Sequence, residues 1–122
     1  MKGALAGLRV LDFSTLLPGP LATLFLADAG AEVIKIERPE GGDACRTDTA
    51  VFAILNRRKR SIAIDLKRDA DKLTPLIANS DIFVEQFRPG VMDRLGLGYD
   101  AVRAINPAII YVSINGYGLD GP

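Results

Sequence analysis

Cations recur at one kind of place in this sequence, directly after short runs of strand-forming residues. Arg38 follows Glu32-Val33-Ile34-Lys35-Ile36-Glu37, Lys67 follows Ser61-Ile62-Ala63-Ile64-Asp65-Leu66, and Arg88 follows Asp81-Ile82-Phe83-Val84-Glu85-Gln86-Phe87. Two further runs, Arg9-Val10-Leu11-Asp12-Phe13 and Ala108-Ile109-Ile110-Tyr111-Val112-Ser113-Ile114, lead into Ser14-Thr15-Leu16-Leu17-Pro18 and Asn115-Gly116-Tyr117. If the runs are parallel strands of one open sheet, their carboxyl ends share the edge where ligands bind in such sheets. Several cations on that edge would suit a polyanion, most simply a phosphorylated nucleotide. The same side chains could equally be solvated surface charges, and the pattern alone leaves both readings open. A helix expected after Pro20 would turn free backbone N–H groups and a positive dipole end toward the same edge.

Other reactive residue types carry less. Asp12 and Asp65 stand near strand ends and could act as acids or bases, but short carboxylates there commonly bond turn amides. Cys45 lies in a glycine-rich loop beside Arg46, which could lower its pKa, although lone cysteines are usually inert. With one cysteine and no histidine, an internal disulfide, a zinc site or a His-based triad within these residues is excluded. The first-strand loop lacks the three spaced glycines of a dinucleotide fingerprint, and there is no Walker lysine. The run Arg57-Arg58-Lys59-Arg60 is one isolated basic cluster without an RNA-binding aromatic pattern, so it reads as a solvated or phosphate-binding loop.

The elements that must position these residues follow from periodicity. Arg9–Phe13, a helix over Leu21–Ala29 stopped by Gly30, and Glu32–Glu37 make a strand-helix-strand unit, which normally pairs in parallel. Apolar and charged residues alternate along Glu32–Glu37, as on a strand with two different faces. Thr49–Leu55 predicts a short helix, Ser61–Leu66 a third strand, and Lys67–Asn79 a helix that Pro75 would weaken or kink. Asp81–Phe87 is the fourth strand, Val91–Leu95 and Tyr99–Asn106 are short helices, and Ala108–Ile114 is a fifth strand. The fifth is apolar enough to predict the buried middle of a parallel sheet. The alternation gives an α/β, Rossmann-like parallel sheet with flanking helices. At 122 residues and 48% hydrophobic the chain can build one core. The fifth strand has no covering helix after it, which predicts a truncated chain, the amino-terminal part of a larger domain. Fifteen basic and fifteen acidic residues cancel, so no global field draws the chain to nucleic acid or membranes. No apolar run approaches the roughly twenty residues a bilayer needs. Nor do the first seven residues resemble a signal peptide, so a cytoplasmic protein is expected.

In order along the chain, Leu5-Ala6-Gly7-Leu8-Arg9-Val10-Leu11-Asp12, Pro18-Gly19-Pro20, Leu26–Pro39, Gly41-Gly42-Asp43, Asn56–Ile62, Phe87-Arg88-Pro89-Gly90-Val91, Arg94–Tyr99 and Gly116-Tyr117-Gly118 resemble the start of family III CoA-transferases. That family includes the carnitine and bile-acid CoA-transferases (CaiB/BaiF type) and the α-methylacyl-CoA racemases. The resemblance covers essentially the whole chain, and the ordered set of motifs is specific where any single one is weak.

The resemblance implies a Rossmann-like CoA-binding domain, of which residues 1–122 are the amino-terminal part. It also implies a second small domain outside this sequence and a homodimer of interlocked subunits. CoA contacts would fall on Leu16, Leu17, Pro18, Arg38, Ile64, Leu66, Lys67, Gln86, Phe87 and Arg94. Arg38 and Lys67 would face CoA phosphates, and Phe87 with the aliphatic residues would line adenine or pantetheine. Gln86 stands where many members have Asn, and Arg88 and Tyr117 are further pocket candidates. CoA or acyl-CoA would be a substrate, with a carboxylic acid as its counterpart and no permanently bound cofactor or metal. Transferases of the family use an Asp nucleophile, and its racemases a His and an Asp that move the proton α to the thioester. All of these groups would fall after Pro122, leaving no catalytic residue in this chain. The expected function is therefore part of a CoA-transferase. Fragment of a 2-methylacyl-CoA racemase, toward which Leu17-Pro18-Gly19-Pro20 leans, and a non-catalytic CoA-binding remnant are the alternatives.

Overall fold

A computed structural model describes residues 2–121. Five parallel strands form one sheet: β1 (Arg9–Asp12), β2 (Glu32–Glu37), β3 (Arg60–Ala63), β4 (Ile82–Glu85) and β5 (Ile110–Ser113), in the spatial order β3-β2-β1-β4-β5. Winding thus runs outward from β1 to β3, then reverses to β4 and β5 on the other side. The reversal between β1 and β4, paired at Val10↔Ile82 and Asp12↔Val84, is the switch point at which such sheets open a crevice.

Strand alternation sends the sheet's apolar residues to two faces. Leu11, Phe13, Ile34, Ile36 and Phe83 pack against Leu73, Ile77, Met92 and Val102. Those partners come from the single-turn 3₁₀ segment Ala70–Leu73 and from α3 (Thr74–Ala78), α4 (Val91–Arg94) and α5 (Tyr99–Ile105). Phe83 is stacked between Phe13 (4.4 Å) and Tyr111 (4.8 Å). On the other face, Val10, Val33 and Val84 meet Ala27 of α1 (Pro18–Asp28) and Ala31. The helix α2 (Thr49–Asn56) lies beside α1. Gly30, at φ 105°, ends α1 as the sequence predicts, because a side chain there would strain the left-handed turn.

Four expectations need correction. The helix begins at Pro18 rather than Leu21; proline at the first positions has no N–H to lose and a φ already suited to the helix. The third strand ends at Ala63, so Ile64 and Leu66 belong to the connection after it. Pro75 does not kink a long helix, since it lies in the first turn of the five-residue α3, after the 3₁₀ turn. And β5, expected in the middle of the sheet, is its last strand among the described residues: it pairs there with β4 alone, and Ile110 is 60% exposed. Apolar content reports the tendency to pack and is silent on whether a neighbour is present. No helix among the described residues is long and apolar enough to cross a membrane.

Candidate functional site

An open groove of about 920 Å³ runs along the carboxyl ends of the strands, a size typical of small-molecule sites. Phe13, Ile36, Ile64, Leu66 and Phe87 give it an apolar floor, and Val91 and Leu95 of α4 add one wall. Arg38, Lys67 and Arg68 rim it, among the carboxylates of Glu40, Asp65 and Asp69. Asp65 spends one oxygen on the Lys67 amide (3.0 Å) and Asp69 faces Lys72 (3.2 Å). Among the described residues no carboxylate pairs with Arg38, Lys67 or Arg68. The Arg38 Nε donates to the Gly42 carbonyl at 2.9 Å, which fixes the guanidinium plane and leaves its terminal nitrogens for another acceptor. A smaller cavity of about 200 Å³ lies by Arg9, Glu32 and Arg60. It sits at the opposite strand ends, where Glu32 bridges Arg9 and Arg60 at 2.8 and 2.9 Å.

Of the ten residues expected to contact a ligand, five line this groove: Arg38, Ile64, Leu66, Lys67 and Phe87. Leu16, Leu17 and Pro18 are exposed on the adjoining β1–α1 connection, next to Thr15, which does line it. Arg94 is exposed on α4 outside the groove, although its helix neighbours Val91 and Leu95 line it. Gln86 acts within the protein. Its Oε1 accepts from the Gly19 N–H and its Nε2 donates to the Thr15 carbonyl, both at 2.9 Å. Arg88 and Tyr117 are exposed and do not line the groove. Arg68, Ile36 and Phe13 do, and the rule that ligands sit past strand ends could have found them.

The expected anion site at the start of α1 is not there. Pro18 and Pro20 have no N–H, that of Gly19 is taken by Gln86, and that of Leu21 closes on the Leu17 carbonyl at 2.9 Å. The side-chain carbonyl of Gln86 occupies the positive end of the helix, so anion recognition falls to the groove cations. Gly19 itself is required by crowding, since a Cβ there would stand 2.1 Å from Ser14 Cβ and 2.7 Å from Gln86 Oε1.

On the α1 side of the sheet, the charged face of β2 carries a buried polar network, of which Glu37 and Asp43 also line the groove. Lys35 and Glu37 are 1% and 6% exposed. The Lys35 ammonium lies 2.8 Å from Asp43 Oδ2 and donates to the Ser14 carbonyl at 2.9 Å. Asp43 Oδ1 accepts from the amides of Leu16 (3.0 Å) and Cys45 (2.9 Å). Burial opposes ionisation of Asp43, yet Lys35 and those amides outweigh it and hold the carboxyl below its ordinary range. Glu37 accepts from Arg46, from the Asp43 amide and from the Ser61 hydroxyl. Arg46, opposed by burial and aided by Ser61 and the Asp43 amide, brings its pKa down to about 2. Asp12 bonds the amide and hydroxyl of Ser14 and the Thr23 hydroxyl, so it serves the turn and the helix, as short carboxylates near strand ends commonly do. Asp65 does the same for Lys67.

Three residues of the basic run, Arg57, Arg58 and Arg60, are exposed, as a solvated loop would have them, while the side chain of Lys59 turns inward. Arg57 pairs with Asp28 at 2.7 Å and Arg60 with Glu32. The Lys59 side chain is buried, with its ammonium on the Pro20 carbonyl (2.9 Å) and facing Asp12 at 3.4 Å. Burial lowers its pKa to about 8, against the pull of Asp12. Cys45 is buried as well.

Comparison with known proteins agrees with this architecture. The family model described as CoA-transferase family III matches residues 5–122. A formyl-CoA:oxalate CoA-transferase of Streptomyces avermitilis is 46% identical over 131 residues, covering 100% of this chain and 32% of its own length. The succinyl-CoA:glutarate CoA-transferase of Mus musculus is 45% identical over 128 residues, covering 97% of this chain and 29% of its own. Among solved structures, a CaiB/BaiF family protein from Brucella suis superposes with a TM-score of 0.94 at 38% identity, over 100% of this chain and 36% of that one. Rv3272 from Mycobacterium tuberculosis gives 0.93 at 43%, over 98% and 36%. The chain thus spans about a third of the length of these relatives.

Proposed function

Because the chain belongs to CoA-transferase family III, we propose that it supplies the acyl-CoA-binding part of an enzyme that moves CoA between an acyl-CoA and a carboxylic acid. The observation that carries this reading is the groove: an apolar floor at the strand ends, rimmed by Arg38, Lys67 and Arg68 without carboxylate partners among the described residues. Phosphates of CoA would meet Arg38 and Lys67, and its adenine or pantetheine would lie on Ile64, Leu66 and Phe87. Leu16, Leu17 and Pro18 would touch the ligand from the adjoining connection. Gln86 would hold that connection, and Arg94 would stand at the outer rim. CoA is a substrate in this scheme, not a resident group. The reacting carboxylate, an Asp that attacks the thioester carbonyl to give an acyl-enzyme anhydride and CoA thiolate, would come from outside these 122 residues. So would the partner subunit of a homodimer, and the setting would be cytoplasmic. A racemase would use the same CoA groove with different reacting groups; Leu17-Pro18-Gly19-Pro20 is the one feature of the chain that favours it.

Calorimetric titration with CoA and with 3′-dephospho-CoA tests the reading. Wild-type chain is expected to bind CoA without catalysing transfer, and Arg38→Ala to weaken CoA by about tenfold, the value of a charge-assisted bond to phosphate. A larger loss for CoA than for dephospho-CoA puts Arg38 on the 3′-phosphate, and equal losses put it on the pyrophosphate. A folded chain that ignores millimolar CoA defeats the assignment.

A further inference from the structure

Leu16 has a backbone φ of 64°, in the left-handed region that is strained for a residue with a Cβ. Such a conformation persists only where its surroundings over-determine it. Here they do, from three other places in the fold. Lys35 of β2 holds the Ser14 carbonyl, Gln86 after β4 holds the Thr15 carbonyl and the Gly19 amide, and Asp43 of the β2–α2 connection holds the Leu16 amide. Lys35 and Asp43 are also ion-paired with each other, their side chains 1% and 0% exposed.

Packing gives no reason for this effort. Leu16 and Leu17 are 52% and 56% exposed, so the strained turn buries neither leucine. A buried ion pair is also a weak source of stability, since well-packed apolar residues of similar volume generally do as well. What the pair does supply is geometry. It locks the connection after β1 to the one after β2, and the latter carries both Arg38 and the Gly42 carbonyl that orients it. A strained, outward-facing apolar turn fixed by buried charges is suited to a contact outside the chain.

We propose that Asp43, together with Lys35, is a positioning residue of the groove, holding Leu16 in its left-handed shape so that Leu16 and Leu17 meet the apolar part of the ligand in register with Arg38. Neither Asp43 nor Lys35 reacts or bonds the ligand's phosphates. They act by keeping the binding-competent loop populated before the ligand arrives. The inference rests on the acyl-CoA reading of the groove, and its test has an arm that does not.

That arm is hydrogen exchange of the Gly19 amide in the ligand-free 122-residue chain. Gly19 bonds Gln86 and not Asp43, so it senses Asp43 only if the clamps work as one unit. In Asp43→Ala, Gly19 is expected to exchange about tenfold faster. Leu16→Asn added to that variant is expected to slow it again, because Asn adopts the left-handed backbone more readily. In the second arm, a loop competent in about a tenth of molecules raises the apparent Kd for CoA about tenfold. Asp43→Asn keeps the volume but turns an amide toward Lys35, and it carries both measurements if the alanine variant does not fold. Gly19 exchange at the wild-type rate in a folded Asp43 variant overturns the clamp, whatever CoA does. Faster exchange with unchanged CoA affinity overturns the positioning role while leaving the groove assignment intact. If the wild-type chain binds no CoA, the acyl-CoA reading and the positioning role both fall, and the exchange arm still decides whether the clamp exists.

Discussion

Glu37 receives four donor atoms on one carboxylate, from Arg46 twice, the Asp43 amide and the Ser61 hydroxyl. Its pKa falls from the ordinary 4.5 to about 2. The folded state therefore gains from this group fully above pH 4.5 and loses the gain as pH drops toward 2. Glu37→Gln is expected to cost about 2 kcal/mol at neutral pH, with the gap to wild type closing through that window. Urea unfolding at a series of acidic pH values measures it; a gap that stays constant would mean the charge is immaterial. The sequence could not reveal this site. Alternation along Glu32–Glu37 is legible, but Glu37 is buried by partners 6, 9 and 24 residues away, and period-two patterning sees only neighbours on the strand. The groove cations Arg38 and Lys67 were legible for the opposite reason, since their place follows from the strand ends alone.

At the scale of elements, α1 starts against a neighbour that leaves no room for a side chain at Gly19. Gly19→Ala should push Ser14 and Gln86 away together, and a loss of about 1–3 kcal/mol is expected from the overpacking. A shifted denaturant midpoint with unchanged slope would report it, and an unshifted one would mean that the connection yields freely. Strands and helices were read in the right order because each carries its own period. Boundaries moved where a special residue had a second use. Pro18 and Pro20 look like breakers but open a helix, and Pro75 occupies the first turn of α3. The filled positive end of α1 was illegible, because Gln86 is 67 residues from the amide it bonds.

For the molecule as a whole, the parallel sheet follows from strand-helix alternation, and the structure has it; the reversal between β1 and β4 was not legible. The order of the outer strands does not follow: β5 reads as central and, among the described residues, lies at an edge. Ile110 and Val112, 60% and 37% exposed, make that edge apolar, and open apolar edges pair with other chains. The isolated chain is expected to associate as its concentration rises, and Val112→Lys to suppress this. Sedimentation velocity at several loading concentrations decides, and a strictly monomeric wild type would mean the edge is inert.

The left-handed turn at Leu16 has a consequence for selection. Glycine at position 16 relieves about 1–2 kcal/mol of strain and returns about 0.5–1 kcal/mol to the unfolded chain, so abundance in a cell is nearly indifferent to the exchange. On the role proposed for Leu16, ligand capture is expected to fall, because the leucine side chain and its fixed direction vanish together. In a library scored once for expression and once for retention on immobilised CoA, position 16 should look permissive in the first score and intolerant in the second. A core position such as Phe83 should fail both.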